Sequence, residues 1–537
     1  MTVSGPPPGP TDDQLPADQL PDERLPDGRS PVGPLPNDHP RDDPLPDARP
    51  PDIPRRPVDR LASTWAPPAP RPDDDESSLV APEPRRRRGR GLGQMLAARL
   101  GHPLKLIAAA FLTTVGVITL LLRLPLSAEP GQHTTFLQAL FTATGASCGA
   151  LANVDTPTHW STFGEVVIMF AVQLGGLGFM TSASLLGLLV SRRLGLRIRL
   201  LAATETQSVG IGDVRRVVRN VALITLAIEG AAASVLSAWL WLDHGMPVGR
   251  AAYHGVFHAV TGFNNAGYAL YSDNLMSFAG DPVVIVTIGL AAILGGLGFP
   301  VLFELRHELR TPRLWSMHTK VTLLGYGVLL AGGAAAVLAL EWRNPATLGP
   351  LGAADKLLGG FFGSVTARTA GFNTFDYGAA QPATLVVTDI LMFIGGGSAS
   401  TAGGIKVTTF LILFFAIVAE ARGDDTVDAF GRQVSPAALR QAVAVALLGV
   451  ALVVTGTLCL LISSHHTLDQ TLFEVTSAFG TVGLSTGITG GLPAFDQYVL
   501  IVLMLVGRIG PITLASALAL RERRRLYRLP EERPIVG

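Results

Sequence analysis

Charge is scarce in this chain of 537 residues: Asp, Glu, Lys and Arg make up only 16% of it, against 48% apolar residues. That balance excludes an ordinary soluble domain and points to a polypeptide largely dissolved in lipid. Cysteine is nearly absent. Cys148 and Cys459 sit in apolar or loop-like surroundings with no metal-ligand spacing, and no disulfide framework is implied. No HExxH or P-loop pattern occurs and the histidines are scattered, so no membrane enzyme is expected. A Gly-rich dinucleotide fingerprint following a strand pattern is also missing, which argues against a nucleotide-binding regulator within the chain. No cofactor is expected to be bound, and no cleaved secretory signal, since no short apolar stretch precedes a cleavage-like site near Met1.

The balance of 42 basic and 42 acidic residues conceals a strong segregation. Residues 1–84 are crowded with Pro, Asp and Arg and have almost nothing to bury, so a disordered tail is expected. It closes on Arg85, Arg86, Arg87, Arg88 and Arg90. Such a run sets membrane orientation more readily than it forms a specific lipid or nucleic-acid site. Beyond the tail, eight apolar segments follow, at about 106–122, 166–190, 221–242, 283–305, 321–340, 384–418, 442–463 and 498–520. Most match the ~20 residues of a membrane helix, and backbone groups in lipid have to pair internally. Basic residues follow the second, fourth, sixth and eighth segments, for example Arg192, Arg193, Arg306, Arg310, Arg422, Arg432, Arg521 and Arg523. The positive-inside rule makes these connections and both termini cytoplasmic.

The four connections on the other side share a content that plain loops lack. Each carries a short amphipathic run and then a cluster of Gly, Thr, Ser and Asn, as in "HGVFHAVTGFNNAGYALY" and "QTLFEVTSAFGTVGLSTG". Their marker glycines Gly149, Gly267, Gly371 and Gly483 are spaced 118, 104 and 112 residues apart, the signature of one unit duplicated. The fold expected is all-α and membrane-integral, with four parallel helix, pore-loop, helix repeats forming a pseudo-tetrameric cation pore. Its parts are a tail over 1–100 and repeats over 101–200, 201–312, 313–432 and 433–537. Every unit starts and ends on the same side, unlike inverted-repeat transporters.

A dehydrated cation at membrane depth needs close oxygen ligands, and a short non-helical strand can aim backbone carbonyls at it where a residue accepts unusual dihedrals. The candidate filter is Cys148 and Gly149; Asn265, Ala266 and Gly267; Thr369, Ala370 and Gly371; and Thr481, Val482 and Gly483. A single Gly/Thr-rich loop is usually a plain turn, but four at a near-constant period on one side favour a filter. The run "GGGSASTAGG" in the sixth segment is a poor membrane helix, either a flexible loop inside a pore or a surface easing close packing. Arg508 lies mid-segment, where a charge faces a cavity or a partner. Glu229 and Asp389 are also in apolar segments, open to pairing with a basic group. Glu474 and His258 precede filters, suited to holding loop shape more than to touching ions, and Arg368 to bracing the third loop.

The sequence resembles the TrkH, TrkG, KtrB and HKT superfamily of potassium transporters, nearest its KtrB members, from about residue 104 to 526. The motifs are "QLGGLGFMT" at 173–181, "FHAVTGFNNAG" at 257–267, "GGLGFPVLFEL" at 295–305, "SVTARTAGFNT" at 364–374, "GGGSASTAGGIKVTT" at 395–409 and "VGRIGPIT" at 506–513. The resemblance implies a potassium path with one filter glycine per repeat, a homodimer in a cell membrane, and a cytoplasmic nucleotide-binding regulatory subunit of the RCK type, similar to TrkA or KtrA. It further implies an intramembrane gate formed by Gly395, Gly396, Gly397, Ser398, Thr401, Gly403, Gly404 and Lys406, with Arg508 beneath the filter opposing free cation passage. The first loop departs from the family: Ser147, Cys148, Gly149, Ala150 and Leu151 replace its Thr-Gly stretch in a form one residue shorter. A sodium- or proton-coupled transporter with alternating access is the alternative. A scaffold role leaves the glycine loops unexplained.

Overall fold

The computed structural model describes residues 103–177 and 214–510. The tail with its 85–90 arginine run, the second apolar segment beyond 177, the basic connection at 192–199 and the chain from 511 lie outside the described residues.

Within those limits the chain is helical, and its helices fall into four groups of one pattern. The first is α1 (Pro103–Leu122), α2 (Phe136–Cys148) and α3 (Thr162–Gly176); the second is α4 (Val214–Leu242), α5 (Val248–Phe263), α6 (Pro282–Leu297) and α7 (Phe299–Glu308). The third comprises α8 (Met317–Glu341), α9 (Ala353–Thr366), α10 (Pro382–Phe393) and α11 (Val407–Arg422); the fourth comprises α12 (Pro436–Ser463), α13 (Leu468–Gly480) and α14 (Ala494–Ile509). A two-stranded hairpin, Asp428–Ala429 against Arg432–Gln433, joins α11 to α12. Helix starts follow local chemistry. Thr135 with Gln138 and Thr467 with Gln470 form capping boxes on α2 and α13, and Ser161, Ser316 and Ser435 cap α3, α8 and α12.

Among the described residues three helical stretches are long and apolar enough to cross a membrane, Arg219–Leu242, Met317–Glu341 and Pro436–Ser463. Leu120, Phe170, Leu226, Val328, Leu447 and Ile462 stand exposed on the outer surface, a belt that only a hydrocarbon solvent tolerates at this density. The expectation of one continuous segment over 283–305 needs correction. Gly298, at φ +97°, ends α6, and Pro300, which has no N–H to give, opens α7 at 99° to it. The sixth segment is broken as its composition suggests, with residues 394–406 running between α10 and α11.

The groups close into a ring. The short helices α2, α5, α9 and α13 pack on the first helix of their own group, α1, α4, α8 and α12. Each also packs on the inner helix of the preceding group: α5 on α3, α9 on α6, α13 on α10 and, closing the circle, α2 on α14. Within three of the groups the inner helix also packs on the short helix of its own group, α3 on α2, α6 on α5 and α14 on α13, and Gly175, Gly295 and Gly507 permit that approach. A Cβ at these positions would lie 1.8 Å from Ser147 O, 1.9 Å from Phe263 O and 1.9 Å from Phe479 O. The inner helices therefore touch the carbonyl ends of the short ones without intervening side chains.

Candidate functional site

The carbonyl ends of α2, α5, α9 and α13 converge, and the loops leaving them meet at the middle of the ring. A Cβ on Gly267 would lie 2.6 Å from Gly371 C, one on Gly371 would lie 2.3 Å from Val482 O, and one on Gly483 would lie 3.4 Å from Ala150 O. A Cβ on Gly149 would instead lie 2.6 Å from Asn265 O, and Gly149 is followed by Ala150 and Leu151. Gly149 thus stands beside Asn265 and Ala266 and next to the buried Cys148. Ala150, not a glycine, is the first-loop residue abutting Gly483. Ala150 N–H bonds back to Gly145 O, as Ala266 does to Thr261 O and Val482 to Ser477 O, so Gly149 stands in register with Asn265 and Thr481 and not with the glycines that follow them.

The other three loops share a backbone rhythm. A left-handed residue, then an ordinary one, then a glycine of positive φ recurs as Asn265 (+54°) and Gly267 (+71°), Thr369 (+77°) and Gly371 (+74°), and Thr481 (+50°) and Gly483 (+98°). Alternating handedness turns successive carbonyls toward one side of a strand. Positive φ is a genuine outlier for a β-branched residue, and such strain persists where surroundings impose it. The buried hydroxyls of Thr369 and Thr481 have no partner among the described residues.

Polar groups behind the loops fix them. Glu474, fully buried, accepts from Ser485 Oγ at 2.6 Å, Thr486 N at 2.9 Å and Thr489 Oγ1 at 2.6 Å. His258 bonds His254 O through Nδ1 at 2.8 Å, and its Nε2 accepts from Leu270 N at 3.3 Å. Arg368 turns away from the loops: Nη1 donates to Tyr326 O at 2.8 Å and the guanidinium lies 3.9 Å from the Tyr326 ring. Among the described residues Glu229 pairs with no basic group. Its Oε1 accepts from Asn264 Nδ2 at 2.9 Å and its Oε2 from Gln173 Nε2 at 3.1 Å.

One side of the loops opens into a cavity of about 440 Å3 lined by Asn153, Asp155, Asn274, Asn373 and Asp376. Asn274 and Asp376 were missed from sequence because single polar residues after a filter-like loop carry no spacing signal. Against the other side lies the 394–406 loop. Gly403 packs on Thr481 and Gly404 on Gly480, while Gly397 N donates to Gly296 O at 2.7 Å, Thr401 N to Gly295 O at 3.2 Å and Phe299 N to Ala399 O at 3.1 Å. The loop is thus stitched to the Gly298 break. Gly395 N bonds Ile405 O at 2.8 Å and Val407 N bonds Gly396 O at 3.0 Å, closing its base. Ser398 Oγ meets Thr408 Oγ1 at 2.9 Å, and Lys406 Nζ donates to Ala402 O at 2.5 Å. Arg508 donates through Nη1 to Thr401 O and through Nη2 to Gly175 O at 2.5 Å, joining the loop to α3 and α14. Among the described residues no group of three or more His, Cys, Asp or Glu could hold a metal ion.

Four helix, loop, helix groups closed into a ring, with their irregular backbone at its centre, define the class of single-chain pore-loop membrane proteins. A family model described as "TrkH: Cation transport protein" matches residues 105–524, and the chain belongs to that family. It is 40% identical to Ktr system potassium uptake protein B of Bacillus subtilis over 81% of this chain and 97% of that protein. It is 37% identical to the protein of the same name from Vibrio alginolyticus, over 83% and 97%. Potassium/sodium uptake protein NtpJ of Enterococcus hirae is 34% identical over 81% of this chain and 97% of its own length. The crystal structure of the potassium transporter TrkH from Vibrio parahaemolyticus superposes with a TM-score of 0.60 at 17% identity, covering 77% of this chain and 85% of that one, and so shares the fold.

Proposed function

We propose that this chain is the ion-conducting subunit of a potassium uptake system of the Trk/Ktr type in a cell membrane. The observation that carries the reading is the closed ring of four loops, three of them with the same alternation of left-handed residue and glycine, at the carbonyl ends of four short helices. Those ends carry partial negative charge toward the centre, and the strands between them can replace a hydration shell with backbone oxygens. The filter residues are Ala266 and Gly267, Thr369 to Gly371, Thr481 to Gly483 and, from the first loop, Gly149 with Ala150. Asp155 and Asp376 raise the local cation concentration at the mouth. Residues 395–406 are the gate, held shut by Arg508. The potassium-uptake names of the relatives support the choice of ion; the potassium/sodium name of the Enterococcus relative and the missing first-loop glycine favour a selectivity that sodium partly escapes. The basic connections support cytoplasmic termini and a docking face for an RCK-type nucleotide-binding subunit, with the chain working as a homodimer among lipids; no enzymatic step is assigned to it.

The test is rubidium uptake into proteoliposomes by wild type, Gly371→Ser and Gly483→Ser, with sodium as competitor. Selective uptake that either substitution abolishes or opens to sodium supports the filter. Selective uptake indifferent to both overturns it, and flux fixed in ratio to sodium or protons would favour the coupled transporter.

A further inference from the structure

Asp389 lies in the second half of α10, 7% exposed, and among the described residues neither of its carboxylate oxygens has a hydrogen-bond partner. It opens onto a cavity of about 380 Å3 walled by Phe393, Ile394, Phe410, Val450, Val453 and Thr476, from α10, α11, α12 and α13 and the start of the gate loop. No lining residue is basic, and the ionisable neighbours that act on Asp389, Glu474 and Asp469, are acidic. Ile390, Val450 and Val454 stand half exposed at the cavity's rim, so it opens on the hydrocarbon-facing surface.

A carboxylate in such a place is costly without a counter-charge. Anions are repelled. A hydrated metal ion needs several oxygens and finds one carboxylate and one threonine hydroxyl. A phospholipid amine sits too shallow: Asp389 is seven residues into a helix that rises ~1.5 Å per residue, about 10 Å below its start. What fits is a single ammonium carried on a compact hydrocarbon body. We propose that this crevice is a binding site for lipophilic ammonium ions, with Asp389 as the counter-ion and the valine and phenylalanine walls holding the hydrocarbon.

The site adjoins the gate. Ile394 bridges to Ile405 across the base of the 395–406 loop, and Phe393 and Ile394 form the end of the crevice. An occupant braces α10 against α12 and keeps the base of the loop closed, slowing ion flux; this consequence alone rests on the gate reading above.

The full chain in phosphatidylcholine nanodiscs, titrated with tritiated 1-naphthylmethylamine, tests the site. Saturable binding is expected, weakened by about tenfold or more in Asp389→Asn and in the crevice-filling Val453→Trp, with 1-naphthylmethanol competing at least about tenfold more weakly. Equal binding of the amine to wild type and both variants overturns the proposal. Equal competition by the alcohol overturns it too, leaving an apolar slot for acyl chains, as does binding seen only after a dimer is dissociated, which gives the face to a second copy. Where Asp389→Asn fails to fold, Val453→Trp and the alcohol decide. Rubidium flux with the amine at saturation is read separately: binding without slowed flux sinks the gating consequence and leaves the site standing.

Discussion

A carboxylate among apolar helices is held by whatever donors its neighbours can bring, and Glu229 shows how this reaches the ion path. It sits on α4, one helix removed from the loops, yet it accepts from Gln173 of α3 and from Asn264, the residue ending α5 just before Asn265. Asn264 Nδ2 also donates to Gln173 Oε1 at 2.8 Å. The three residues set the angle at which the second loop leaves its helix. Glu229→Ala takes the acceptor from the half-buried Gln173 amide and one of three acceptors from the buried Asn264 amide, a loss of about 1–3 kcal/mol. Its thermal unfolding midpoint in detergent should fall, and surviving uptake should discriminate less against sodium. Glu229→Gln, keeping one acceptor oxygen, should fall between; unchanged selectivity in both variants would remove Glu229 from the positioning of the loop. Nothing in sequence names this partner set, because three residues 35 to 91 positions apart meet only through the ring.

At the scale of the element, the ring rests on glycines chosen for contact. Gly295→Ala and Gly507→Ala drive a methyl into the carbonyls of Phe263 and Phe479, so each should destabilise by about 1–3 kcal/mol or more and lower uptake. Gly327 and Gly332 on α8 have nothing within 4 Å of an added Cβ, and their alanine variants should be neutral or stabilising by up to about 1 kcal/mol. If all four behaved alike in thermal unfolding, close approach would not be what the inner glycines provide. Asp281 gives the element its pH dependence. It caps α6 through Val283 N at 2.9 Å and Val284 N at 3.1 Å and accepts from Trp239 and His244. Burial raises its pKa, but these hydrogen bonds outweigh that and hold the carboxyl below its ordinary value. A lowered folded pKa means that the cap's contribution, about 1 kcal/mol, is present above the unfolded pKa and lost as pH falls through the folded one. The stability difference between wild type and Asp281→Ala should therefore be flat from neutral pH to about pH 5 and shrink only below about pH 4. The repeat and its loops were legible in the sequence because Gly/Thr clusters between apolar runs recur at a near-constant period. The break at Gly298 was written there too, as Gly-Phe-Pro, but hydropathy averages across it. The first-loop register was not legible, since Cys148-Gly149-Ala150-Leu151 offers one glycine and nothing in its spacing says whether it is level with Gly267 or with Asn265.

For the whole molecule, Arg508 matters because one guanidinium ties together parts that belong to three of the four groups: its own helix α14, the 395–406 loop of the third group at Thr401, and the end of α3 in the first at Gly175. A loop so rich in glycine has little order of its own. Its position against the loops at the centre of the ring comes from this tie, from the seam with the Gly298 break and from Lys406 folding back on Ala402. Removing the tie frees the loop and takes a positive charge from the side of the loops opposite Asp155 and Asp376. Arg508→Gln should raise rubidium efflux from loaded proteoliposomes, without any partner subunit, on the order of tenfold, the effect of removing about 1.4 kcal/mol of electrostatic and steric barrier. Arg508→Lys keeps the charge but cannot reach both carbonyls with one ammonium, so it separates the two contributions. Efflux near wild type in the lysine variant and high in the glutamine variant assigns the barrier to charge; high efflux in both assigns it to the tie. Flux unchanged in both folded variants would mean that the loop is held closed from elsewhere and that Arg508 is structural.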